Sequence, residues 1–385
     1  MDAPLPATLA ILERLIAFPT VSADSNLALI DHAEALLEAA GFATRRLPDA
    51  TGTKAGLMAR IGPEGPGGVM LSAHSDVVPV EGQDWTRPPF RLTREGDRLF
   101  GRGVTDMKGF LASALALAQR IGQPAQPLML AISYDEERGC LGIRDMLPGI
   151  AALGWQPGLC IVGEPTSMRT ATGHKGKAAF EAVFRGTAGH SALAPRHINA
   201  LHPAAEFIAA LRRIQAAYAE GPSRDADHDV PFSTVHAGRM EGGRALNIVP
   251  DHARVEFELR HLPGDTPEAF LDRLGQEVAA ILPPFRRIDP AADITIREVN
   301  RYPGFAIPPG DPRLARMAGL CGTAATTKVA FGTEAGYFAG LGFPVVVCGP
   351  GDMERDGHRP DESLALGELA ACDAMMERLA GELTG

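Results

Sequence analysis

Apolar positions in the first 172 residues fall into two kinds of run. Short, unbroken stretches, "GVMLSAHSDVV" (68–78), "PLMLAISYD" (127–135) and "GLCIVGE" (158–164), have the length and composition of strands buried on both faces. Between them, "SNLALIDHAEALLEAAG" (25–41) and "KGFLASALALAQRIG" (108–122) carry helical patterns. This alternation predicts an α/β architecture with a largely buried sheet. Polar residues stand where each strand-like run ends: His74 and Asp76, then Asp135, Glu136 and Glu137, then Glu164. Side chains alternate along a strand, so His74 and Asp76 point the same way. Open α/β sheets collect ligand and catalytic groups outside their strands' carboxyl ends, which predicts that these clusters converge on one edge.

From about residue 173 to 302 the pattern changes. Strand ("KAAFEAVFRG"), helix ("NALHPAAEFIAALRRIQAAYAE"), two strands ("PFSTVHAGRM", "HARVEFELRHL"), helix ("TPEAFLDRLGQEVAAIL") and strand ("DITIREVNRY") follow in turn. That βαββαβ order is the ferredoxin-like split motif, and it predicts a domain at 173–302 inserted into one built from 1–172 and 303–385. After it, "FGTEAGYFAGLGFPVVVCGPG" resumes a glycine-punctuated helix and a buried strand, and "DESLALGELAACDAMMERLAGEL" closes the chain as an amphipathic helix.

A length of 385 residues fits two domains, each able to bury a sizeable core. A formal net charge of −10 with no Lys/Arg block argues against nucleic acid as a partner. No membrane is implied either, because the apolar run "FLASALALAQRI" is well short of the roughly 20 residues that span a bilayer and reads as a buried helix. The first twenty residues carry acids where a signal peptide would carry bases. Five scattered cysteines without a C-x-x-C pair indicate neither a disulfide framework nor a thiolate zinc site, so a reducing cytoplasm is expected.

Each polar cluster has a plain reading beside a chemical one. His74 and Asp76 can be a hydrogen-bonded pair at a strand end. Asp135, Glu136 and Glu137 can be a solvated acidic loop, Glu164 a turn or cap residue, and His358 in "DGHRPDE" (356–362) an exposed loop histidine. Asp106 lies in "GRGVTDMKG" (101–109), whose spacing does not match a nucleotide-binding loop. Taken together, imidazoles and carboxylates at five strand-end or loop sites of one domain meet the donor requirements of a centre for Zn²⁺ or Co²⁺. Two ions about 3.5–4 Å apart require a shared ligand such as Asp106.

"HSDVVPV", "GRGVTDMKG", "YDEERGCLG", "GEPT", "GHKGKAAFEAVFRGTAGHSALAP" and "GTEAGYF" together resemble the di-zinc amidohydrolases and exopeptidases that include acetylornithine deacetylase, succinyl-diaminopimelate desuccinylase and aminoacylase. The likeness runs nearly end to end, and "SNLALIDH", "GHKGK" and "GTEAG" most resemble the acetylornithine deacetylase branch. It implies a di-zinc exopeptidase-like catalytic domain carrying a ferredoxin-like lid and dimerisation domain. His74 and Glu164 would then hold one metal, Glu137 and His358 the other, and Asp106 would bridge them. Asp76 would fix the His74 tautomer and Glu136 would be the free general base. His190 in "GTAGHSALAP" takes the oxyanion-stabilising role, often across a dimer interface. Asn247 and Arg260, in "ALNIVPDHARVEFELR", become candidates to bind substrate, Arg260 by gripping an α-carboxylate or else lying in a surface strand pair. Glu334 either meets a substrate ammonium or caps the next helix, for which Thr333 is better placed. The implied reaction is removal of the acetyl group from N2-acetyl-L-ornithine in arginine biosynthesis, with two Zn²⁺ or Co²⁺ per chain and a homodimeric enzyme. The alternatives are another N-acyl-amino-acid hydrolase (aminoacylase, desuccinylase or dipeptidase) and an inactive binding protein on the same fold.

Overall fold

The structure is a computed structural model that describes residues 3–385. It separates into two compact units. One comprises the chain up to Gly173 with Phe305–Val329 and Thr333–Gly385, and the other comprises His174–Gly304 with Ala330–Gly332.

The first unit is organised by a mixed sheet. Its spatial order begins Ala43–Pro48, Ala55–Ile61, Leu128–Ser133, Val69–His74, Leu159–Val162, Val345–Val347, and the strands Leu128–Ser133 through Val345–Val347 run parallel. Every residue of the four parallel strands is buried, which is why their sequences read as unbroken apolar runs. Parallel pairing also brings their carboxyl ends to one edge, where His74, the acids after Ser133, Glu164 and the loop after Val347 all emerge. Helix Gly109–Ala118 is buried at all ten positions and packs between helices Pro6–Ile16 and Leu366–Thr384. Being apolar on every side, it belongs in the interior, and truncating its Leu111 or Leu115 to Ala would cost about 2–5 kcal/mol. Gly349 allows the last parallel strand to leave the sheet close to its neighbour: a Cβ there would lie 2.0 Å from the Gly163 carbonyl oxygen. Among the described residues no helix is long and apolar enough to cross a membrane.

The second unit is a four-stranded antiparallel sheet in the order Thr234–Gly242, His252–His261, Gly176–Arg185, Ile294–Tyr302. Helices Leu201–Glu220 and Pro267–Ile281 complete the βαββαβ chain order. Strict alternation along Gly176–Arg185 and His252–His261 turns Phe180, Phe184 and Phe257 into a core with Phe207 and Phe270 from the helices. The Phe180 and Phe207 rings each lie 5.3 Å from that of Phe257, the first stacked and the second edge-on. The opposite face is charged: Glu181 accepts from Arg254 at 2.9 Å and from Arg297 at 3.1 Å.

Candidate metal centre

His74 ends its strand, and its two ring nitrogens have separate partners. Nδ1 lies 2.9 Å from the backbone carbonyl of Asp76, whereas the Asp76 carboxylate is 3.5 Å away. Asp76 therefore sets the tautomer chiefly through its carbonyl. Its carboxylate instead accepts the backbone N–H groups of Glu136 at 3.1 Å and Glu137 at 3.3 Å, and the Ser22 hydroxyl at 2.5 Å. The same residue thus aims the imidazole and pins the acidic loop after the neighbouring strand.

With Nδ1 donating, His74 Nε2 turns an unshared pair toward Asp106 Oδ1 at 3.0 Å and Glu164 Oε1 at 3.8 Å. The other oxygen of Asp106, Oδ2, lies 3.1 Å from His358 Nε2, which is also 3.1 Å from Glu137. Two donor groups result, His74–Asp106–Glu164 and Asp106–Glu137–His358, and in each the ligand atoms lie within 4.8 Å of one another. Asp106 belongs to both.

So many carboxylates together repel one another. Burial and the surrounding acids push Glu136 and Glu164 well above the usual carboxylate range, and burial with the nearby Asp106 pushes Glu137 up to about 7. Hydrogen bonds to Asp106 and Glu137 raise His358 to about 11. Glu164 Oε1 is buried with no hydrogen-bond partner. A buried, orphaned carboxylate oxygen beside an imidazole lone pair is what a divalent cation satisfies, and an all-nitrogen-and-oxygen donor set suits Zn²⁺ or Co²⁺. The residues fit the ion.

Sequence reasoning did not reach the support beneath Asp106. Glu362, at the end of "DGHRPDE", is 1% exposed and accepts the N–H of Asp106 at 3.1 Å, of Thr105 at 2.9 Å and of Gly103 at 2.9 Å. Arg102 pairs with it at 2.8 Å. The buried Lys108 donates to the carbonyls of Leu15 and Phe18 at 3.1 and 2.8 Å, and burial lowers it to about 7. Lys54 pairs with Asp135 at 2.5 Å, so that acid braces the loop. Glu362 stands between Asp361 and Ser363 and Arg102 between two glycines, local settings that look like ordinary surface loops and carry no signal of burial.

Glu136 belongs to neither donor group, and its carboxylate accepts from the Cys140 thiol at 3.2 Å. Thr333 accepts the N–H of Ala335 at 3.1 Å, while the N-cap position of helix Ala335–Gly340 falls to Glu334, whose side chain makes no capping hydrogen bond. Glu334 is 1% exposed, and its environment includes Ser133, Ser72 and His74, with burial pushing it to about 7. In the second unit, His190 and Asn247 come together: Ser191 N–H donates to the Asn247 carbonyl at 3.1 Å, and both residues are exposed. His190 Nδ1 accepts from Ala192 N–H at 3.1 Å, which leaves Nε2 as the donor of the neutral ring. Arg260 Nε donates to Glu258 at 3.0 Å and its Nη1 to the Tyr302 hydroxyl at 2.6 Å, so strand neighbours already engage two of its nitrogens.

The chain is a metal-dependent hydrolase: residues 70–382 match peptidase family M20/M25/M40, and it belongs to that family. It is 36% identical over 390 residues to an acetylornithine deacetylase of Myxococcus xanthus, with all of both chains covered, and 31% identical to one of Photorhabdus laumondii, with 98% of each covered. Among solved structures, an M20 family metallo-carboxypeptidase of Sulfolobus solfataricus superposes with a TM-score of 0.75 at 18% identity, covering 99% of both chains. An aminopeptidase of Bacillus cereus superposes at 0.74 and 20%, covering 98% of both; these two likenesses speak for the fold.

Proposed function

We propose that this amidohydrolase removes the acetyl group from N2-acetyl-L-ornithine, using two Zn²⁺ ions. The observation that carries the two-ion reading is Asp106, whose two oxygens face two different histidines, His74 and His358. His74 and Glu164 hold one ion and Glu137 and His358 the other, with Asp106 shared. Bound there, the ions supply Lewis acidity toward the amide carbonyl and toward water. Glu136, left free of both donor groups, accepts the proton of the attacking water and returns it to the leaving amine. The thiol of Cys140 and the backbone bond to Asp76 hold Glu136 in place for both transfers. The inserted domain acts as lid and dimerisation module. From it, the Nε2–H of His190 stabilises the oxyanion, Asn247 helps bind substrate, and Arg260 exchanges its Glu258 contact for the substrate α-carboxylate. Thr333 orders the loop on which Glu334 receives the ornithine ammonium.

The relatives' names support the choice of ornithine. The test is a hydrolysis screen of the metal-loaded protein against N-acetyl and N-succinyl amino acids. N2-acetylornithine should lead it. Equal rates on neutral N-acetyl amino acids would replace the ornithine reading with a general aminoacylase.

A further inference from the structure

Two thiols far apart in sequence meet beside the loop that leads to His358. Cys321 ends helix Pro312–Cys321, Cys348 directly follows strand Val345–Val347, and their sulfur atoms are 3.4 Å apart. A disulfide is about 2.05 Å long, so closure needs a movement of roughly 1.4 Å. Their exposure differs in the way a reactive pair requires: Cys348 is fully buried, whereas Cys321 alone among the five cysteines is not. Their ionisation differs too. The hydrogen bond from Cys348, helped by Thr170 and by the Arg378 guanidinium, lowers the Cys321 thiol, whereas Cys348 and the other three thiols, Cys140, Cys160 and Cys372, are raised. Arg378 is held there by a 2.7 Å bond to the Leu320 carbonyl. A partly exposed thiol of lowered pKa beside a buried resolving thiol is the arrangement that peroxide oxidises selectively.

We propose that Cys321 and Cys348 form a peroxide-responsive dithiol that closes to a disulfide and loosens the adjoining metal centre. The Cys321 thiolate attacks the O–O bond of hydrogen peroxide, giving a sulfenic acid and releasing hydroxide, which takes up the proton the thiol lost. Cys348 then attacks that sulfur, forming the S–S bond and expelling water. Two thiols and one peroxide give one disulfide and two waters.

The link to the site runs through backbone bonds. Cys348 N–H donates to the Val162 carbonyl at 2.9 Å, and the Gly349 carbonyl accepts from Thr166 at 3.1 Å and Met168 at 3.0 Å. These bonds flank Glu164 on both sides. Drawing the Cys348 side chain toward the helix strains them, and with them the position of one ligand.

The experiment treats full-length, zinc-loaded protein with graded hydrogen peroxide, alkylates remaining thiols, and maps peptides by mass spectrometry. The expected product is a Cys321–Cys348 crosslink that dithiothreitol reverses. Cys348→Ala should instead leave Cys321 trapped by dimedone as a sulfenic acid. Cys321 peptides that stay fully alkylatable, or over-oxidise without crosslinking, would overturn the pair. Zinc release to a chromogenic chelator should quicken several-fold in the oxidised protein, return to the starting rate on reduction, and stay unchanged by peroxide in Cys321→Ser. An unchanged release rate in fully crosslinked protein would overturn the coupling to the site.

Discussion

The carboxylate of Glu362 and the backbone N–H of Asp106 are joined by a 3.1 Å hydrogen bond in the interior of the first unit. The same carboxylate gathers two further backbone N–H groups and the buried Arg102, so one side chain holds the whole turn that presents the shared acid. Glu362→Gln leaves Arg102 as an unpaired buried charge. We expect a loss of about 3–5 kcal/mol in stability, measured by denaturant unfolding, together with weaker metal binding by calorimetric titration. A variant as stable as the wild type would show that Arg102 finds another partner.

Removing ligands and removing the base should have separable effects. His74→Ala and Asp106→Ala should lose bound metal and activity together, by elemental analysis and hydrolysis assay. Chelation of the wild type should abolish turnover while its circular dichroism persists, because the apolar sheet and its central helix are packed without using the ligands.

Glu136→Gln keeps shape and leaves Glu137 in place but cannot take up a proton. Metal content should stay at the wild-type level while kcat falls by ~10²–10⁴. Wild-type turnover in this variant would assign the base elsewhere.

In the second unit His174 is fully buried, and burial holds it at about 4, below its ordinary 6.5. Between those values the unfolded chain binds a proton that the folded one refuses. Stability from this group is therefore complete above pH 6.5 and drains away as pH falls toward 4, by on the order of 3 kcal/mol. Unfolding midpoints measured across that window should fall more gently in His174→Asn than in wild type. Parallel curves would place the acid sensitivity elsewhere.

Substrate choice tests Glu334. N-acetylornithine, N-acetylcitrulline and N-acetylmethionine should be hydrolysed with a preference for the first of about one to two decades in kcat/KM, the value of a charged contact in a desolvated setting. Glu334→Gln should erase that preference without slowing the neutral substrates. A preference that survives the substitution would move the ammonium's partner to another residue.

What the sequence by itself determined was local. Continuous apolar runs can only be satisfied by burial on both faces, so Val69–His74, Leu128–Ser133 and Leu159–Val162 were legible as interior strands. The period-two pattern of Gly176–Arg185 and His252–His261 likewise declared a half-buried sheet. The residue types at the strand ends announced metal chemistry, since carboxylates and imidazoles rarely cluster after apolar runs without a reason. Only the tertiary structure decided which atoms of those residues meet. No spacing rule says that the Asp76 carbonyl lies nearer His74 than its carboxylate does, or that Glu362 reaches back 256 positions to hold Asp106. The same holds for Cys321 and Cys348, 27 positions apart on a helix and a strand end, whose sulfur atoms come within 3.4 Å. Such pairings arise from packing between elements, where a shift of about one ångström breaks a hydrogen bond and leaves the sequence pattern unchanged.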